Sequence, residues 1–171
     1  ALLVLFSGYT LQAQQINTPA PSPSAKLTQK VGLVDVTVDY SRPGMKGREI
    51  FGGLVPFDKV WRTGANGATT ITLSSDIMME GKNVPAGSYA LYTKPGKDSW
   101  TVMVYNDLSL GGNVARYDES KELTRFMVKP MMGGRAVESF TIDINNLTND
   151  GATLYMMWDK TVVPVKLSVN T

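Results

Sequence analysis

Arg42, Lys46, Arg48, Trp61, Arg62 and Asn66 fall within one 28-residue window, 41–68, which also holds six glycines and two prolines. Guanidinium groups are flat forks of N–H donors matched to carboxylate or phosphate, so three arginines in one window suit an anionic ligand. The indole adds a flat apolar face for a sugar or aromatic ring, and Asn66 both donates and accepts hydrogen bonds. Five cations of the window (Arg42, Lys46, Arg48, Lys59, Arg62) face two anions, Glu49 and Asp58. The same residues also read as a plug. Ile50, Phe51, Leu54, Val55, Phe57, Val60 and Trp61 would then close a core, with the arginines paired to Asp35, Asp39, Glu49 or Asp58. Burying an aromatic ring stabilises, whereas burying an unpaired guanidinium costs several kcal/mol, on the order of a whole side chain's apolar gain. Trp61 and Phe51 are therefore expected to be largely buried. At least two of Arg42, Lys46, Arg48 and Arg62 should keep exposed, convergent ends.

Other chemistry is weaker. The chain has no cysteine and no histidine, which removes thiolate nucleophiles, Ser-His-Asp and Cys-His relays, disulfides and histidine or cysteine metal sites. Ser41 and Lys46 lie five residues apart across a Pro-Gly turn, a poor Ser-Lys pair. Asp35 and Asp39 share a strand face but stand on the order of 13 Å apart, too far for a retaining glycosidase pair. The segment 143–151 puts oxygen ligands in a turn without the order of a calcium loop. Three Met-Met pairs, at 78–79, 131–132 and 156–157, read as core filler rather than as a copper site. No catalytic residue is assigned, and neither a cofactor nor a metal is expected.

The elements that must position the window read as strands. Val34, Val36, Val38 and Tyr40 alternate with Asp35, Thr37 and Asp39, the period of two that marks a half-buried strand. Segments 69–74, 84–93, 100–105, 123–128, 137–147, 152–158 and 162–169 follow the same style. Turn residues separate them at Glu80-Gly81, Pro85-Ala-Gly87, Lys94-Pro-Gly-Lys97, Met132-Gly-Gly134 and Asn149-Asp-Gly151. The expected fold is all-β, an antiparallel β-sandwich or jelly-roll-like barrel of about eight to ten strands with no long helix. One helical turn is allowed near 118–124. The aromatics Tyr89, Tyr92, Trp100, Tyr105, Phe140, Tyr155 and Trp158 are expected to pack in the core.

The 171 residues fit one domain, and 43% apolar with 19% charged residues is a globular balance. A net charge of +2 gives no case for nucleic acid. Residues 1–13 carry an apolar run followed by small and polar residues, the layout of a signal peptide cleaved after Ala13. The run is far short of the ~20 residues that span a bilayer, and no later stretch approaches that length. Residues 14–25 read as a Pro/Ser-rich tether and 26–171 as a single β-sandwich domain, exported to the periplasm or beyond.

The motifs Ser41-Arg-Pro, Lys46-Gly-Arg48-x-Ile-Phe-Gly and Val55-Pro-x-x-Lys-Val-Trp-Arg-Thr-Gly-Ala-Asn66 resemble the signature of a family of exported bacterial proteins. That family is catalogued only as a domain of unknown function (number twenty-nine-eleven). Pro85-Ala-Gly-Ser-Tyr-Ala-Leu-Tyr92 and Trp100-Thr-Val-Met-Val-Tyr105 resemble its central hairpin. The resemblance implies an exported β-rich domain and supplies no catalytic residues. The expected function is non-catalytic: the 41–68 window binds a small anionic or glycan-like ligand, or an envelope partner protein. The alternatives are a hydrolase or lyase acting on a sugar or anion through arginine, lysine and carboxylate groups, and a structural envelope module.

Overall fold

A computed structural model describes residues 18–169. The leader expected at 1–13 and the start of the tether lie outside the described residues. Ten strands form two antiparallel sheets: β1 (Ser24–Val31), β2 (Val34–Ser41), β3 (Thr69–Leu73), β4 (Ile77–Met79), β5 (Lys82–Val84), β6 (Gly87–Lys94), β7 (Trp100–Tyr105), β8 (Glu122–Val128), β9 (Met131–Asn145) and β10 (Gly151–Ser168). One sheet runs β1-β2-β3-β6-β7-β8 and the other β5-β4-β10-β9. Helical structure among the described residues is confined to three single 3-10 turns between β7 and β8. No described helix is long and apolar enough to cross a membrane.

The alternation in β2 does what its period demands. Val34, Val36, Val38 and Tyr40 are buried, while Asp35 and Asp39 on the other face pair with Lys30 and Lys26 of β1. The main core lies between the sheets, where Ile71, Leu91, Trp100 and Val104 meet Phe140, Ile142, Leu154, Met156 and Trp158. Segments 152–158 and 162–169 prove to be one strand, β10, carried through Asp159-Lys160-Thr161 by two register shifts. Met79 and Met156 are core residues as expected, but Met131 and Met132 are 49% and 79% exposed. They lie at the start of β9, the edge strand of the smaller sheet, which pairs with β10 alone.

A second apolar cluster, Ala90, Tyr92, Met103 and Tyr105, occupies the outer face of the larger sheet. Residues 106–121 strap across it, bringing Leu110, Val114 and Tyr117 against the rings. Tyr92 donates to the Gly111 carbonyl at 2.7 Å and Tyr117 donates to Glu122 at 2.7 Å. Burial, with Tyr105 and Asp107 nearby, pushes the Tyr92 phenol up to about 12. At the strap's root Lys121 donates to Asp107 at 2.6 Å, and Ser109 donates twice more. The Lys121 hydrogen bond, followed by those from Ser109, holds the Asp107 carboxyl down at about 2. An unfolded aspartate titrates near ~3.9, so this contribution is complete above that pH and disappears as pH falls toward about 2. The tyrosine near-ultraviolet circular dichroism should therefore weaken across that acid window. In Asp107→Asn the acid-dependent step should be absent. An unchanged step in that variant would place its origin elsewhere.

Candidate functional site

The 41–68 window leaves β2 and returns at β3, and three backbone pairings fasten it. Gly44 bridges Ser139 of β9, Phe51 bridges Val55 within the window, and Trp61 bridges Thr93 of β6. The last is a two-way exchange, Trp61 N–H to Thr93 O at 2.7 Å and Thr93 N–H to Trp61 O at 3.0 Å. Behind it sits a buried threonine group, with Thr63 and Thr93 hydroxyls 3.1 Å apart and Thr69 donating to the Thr63 carbonyl at 2.5 Å. Thr63 holds φ +58°, a left-handed conformation that a β-branched residue adopts only under constraint from its surroundings. Lys46, Asp58 and Asn66 are also left-handed, so four of the seven such non-glycine residues described fall in this window.

The plug is built by only part of the apolar set: Leu54 is 46% exposed, Phe57 is half-buried, and Val60 packs against the outer tyrosine cluster instead of the main core. Ile50, Val55 and Trp61 are buried, and Phe51 is partly buried against them. Trp61 stacks on Trp158 at 5.9 Å and meets Phe140 and Phe51 edge-on at 5.2 and 5.9 Å. Its indole N–H donates to the Gly64 carbonyl at 3.1 Å.

The arginines do not pair with acids, contrary to the plug reading. Arg42 turns away to β9, donating to the Phe140 carbonyl at 3.0 Å and the Thr141 hydroxyl at 2.7 Å. Arg48 donates to the Met45 and Gly44 carbonyls at 3.0 and 2.7 Å. Arg62 donates to the Asn66 and Gly112 carbonyls at 3.2 and 3.3 Å. Among the described residues none of the three forms an ion pair. Neutral carbonyls orient a guanidinium without cancelling its charge, and two such bonds leave three of its five N–H donors free.

Arg48, Lys59, Trp61 and Arg62 line one cavity of about 280 Å³, walled by Pro43, Leu54, Val55, Pro56, Val60 and Trp158. None of its lining residues is acidic. Thus three of the six residues singled out from the sequence, Arg48, Trp61 and Arg62, converge here. Lys46 is exposed outside the cavity, its backbone N–H held by Glu138 at 2.9 Å. Asn66 works as a brace, its amide donating to the Ser22 carbonyl and the Ser41 hydroxyl at 3.2 and 3.3 Å. Lys59 and Trp158 were not among the six. Lys59 could have been found from Lys59-Val-Trp-Arg62, where two cations flank an apolar pair and only the pair has reason to turn inward.

A larger cavity of about 760 Å³ opens at the other end of β2, beside Gly32 and Leu33. Its charged residues are already engaged: Lys30 pairs with Asp35 at 2.7 Å, and Asp76 accepts the Ala86 N–H at 2.9 Å. Size favours that cavity and unspent charge favours the smaller one. Charge decides, because an uncompensated cation has most to gain from an anionic ligand.

The smaller site depends on close backbone approach at Gly112, in the strap over the outer cluster. A Cβ there would press on the Asn66 carbonyl and the Arg62 guanidinium. Gly112→Ala should push the strap off the window, destabilising by about 1–3 kcal/mol as overpacking does. It should also displace Arg62. Urea unfolding and ligand titration of the same variant check both effects, and an unchanged affinity would show that Arg62 tolerates the shift.

A family model described as Protein of unknown function (DUF2911) matches residues 22–167. No curated protein and no solved structure matches the chain.

Proposed function

The chain belongs to the DUF2911 family, and from that premise we propose an exported, non-catalytic β-sandwich domain that binds a small anion in the Arg48–Lys59–Arg62 cavity. Export rests on the signal-like segment 1–13 and the proline-rich stretch after it. The ligand reading rests on one observation above the rest: three cations and no acid line the cavity. A group with two or three oxygens can bridge two guanidinium forks held apart by their own carbonyl contacts. Because those contacts fix the arginines before binding, little side-chain entropy remains to be lost when the anion arrives.

The walls add a second requirement. Proline, valine and leucine side chains with two indoles favour a ligand that carries an apolar or ring face next to its charge. A volume of about 280 Å³ suits one ring-sized group, such as an acidic sugar residue. A carboxylate to act as acid or base is missing from this lining, which favours binding over hydrolysis. Calorimetric titration with a uronate and its neutral parent sugar tests the proposal. The uronate should bind and weaken as salt is raised, while the neutral sugar should not bind. Equal binding of both would overturn the anion reading.

A further inference from the structure

A cavity of about 490 Å³ lies on the other side of the aromatic wall that backs the proposed anion site. Its floor is Phe51, Phe57 and Trp100, with Met131 and Met132 on one flank and Glu49, Lys97 and Asp159 among its lining residues. We infer that this cavity is a second binding site, for a small organic ammonium ion with a short apolar tail.

The wall separates two environments of opposite sign. Phe51 packs edge-on against Trp100 at 4.9 Å and against Trp61 and Trp158 at 5.9 and 6.2 Å. The tryptophans Trp61 and Trp158 border the cationic cavity, and Phe51 and Trp100 border this one. Glu49 and Asp159 form no ion pair among the described residues, so no cation of the protein is paired with either carboxylate. Asp159 stands between the two register shifts of β10 with φ +51°, an arrangement by which a bulge re-aims one side chain.

One ring of the floor already has an ammonium near it. Lys97 Nζ sits 6.0 Å from the centre of the Phe57 ring, the outer limit of a cation–π contact. Phe57 itself is fixed. Asp58 N–H donates to the Pro95 carbonyl at 2.7 Å, and Gly52, at φ +95°, leaves the space that the ring fills. A Cβ on Gly52 would meet that ring at 2.7 Å. The ring face, the two acids and the resident ammonium therefore describe where a better-placed cation would sit. The exposed methionines account for the tail, since unbranched thioether side chains adapt to apolar groups of varied shape. This site is independent of the anion cavity and stands whether or not that cavity is occupied.

The test uses the full chain and hexyltrimethylammonium, with hexanol and hexyl sulfate as neutral and anionic controls of equal tail length. Tryptophan fluorescence reads occupancy through Trp100, and calorimetry checks it. The ammonium should bind about tenfold or more tightly than hexanol, the factor expected of a charge and a ring face together. Glu49→Gln alters only an exposed side chain, and Asp159→Asn keeps a residue that tolerates the left-handed backbone. Together they should remove most of that preference with an unchanged thermal midpoint, and Lys97→Met should tighten binding by removing the competing cation. Binding of hexanol as tight as that of the ammonium would overturn the inference. So would a preference for the ammonium that survives both charge removals.

Discussion

Trp61→Ala should lower the unfolding free energy by about 3–5 kcal/mol, the usual consequence of truncating a core aromatic to a methyl group. In a domain of this size that is a fall in thermal midpoint of roughly 10 °C. Trp61 is only 8% exposed, and its ring touches Phe51, Trp100, Phe140 and Trp158. Those neighbours belong to the window, to β7, to β9 and to β10, so the lost indole leaves a hole where both sheets and the plug meet. Backbone pairing with Thr93 and the threonine contacts behind it resist collapse into that hole, which places the cost high in the range. Trp61→Phe should cost less, because it keeps a ring and loses mainly edge contacts and the bond to the Gly64 carbonyl. Urea unfolding with an unchanged slope measures both variants. A stable Trp61→Ala protein that no longer binds anions would instead make the indole a recognition surface.

The contrast between what the sequence makes legible and what it conceals is clearest along β2 and β10. In β2 each apolar residue is followed by a polar one, and the two faces sort without ambiguity. In β10 the polar triplet Asp159-Lys160-Thr161 separates two alternating segments in the sequence, yet the strand runs through it because bulges absorb the misfit. The outer tyrosine cluster leaves a different trace. Residues 89–93 and 102–105 are buried at both odd and even positions, which requires cover on both faces of the sheet. The sequence shows that run of apolar residues, but not that the 106–121 strap supplies the cover. The partners of the arginines were hidden more thoroughly. Asp35 and Asp39 attract attention as charged side chains, whereas the carbonyls of Gly44, Met45, Asn66 and Gly112 are backbone groups that every residue carries. Composition cannot distinguish a carbonyl that will accept an arginine from one that will not.

Replacing Arg48 and Arg62 together by alanine should abolish anion binding while leaving the fold nearly as stable as before. A hydrogen bond between charged groups contributes about 1.5–3 kcal/mol, so each arginine should account for roughly tenfold or more in affinity and the pair for about a hundredfold. The two arginines contribute less to the stability of the fold. Arg48 is exposed and bonds only to carbonyls three and four residues before it, so its loss frees groups that water can satisfy. Arg62 joins the window to the strap through Gly112, so its removal should cost somewhat more, about 1 kcal/mol. Thermal melts with and without the uronate separate the two contributions, because a ligand that binds only the folded state raises the midpoint by mass action. The double variant should melt close to the parent protein and show no ligand-induced shift. If it unfolded early yet still responded to the uronate, the guanidinium groups would be fasteners of the window, and Lys59 would be left as the cation that meets the anion.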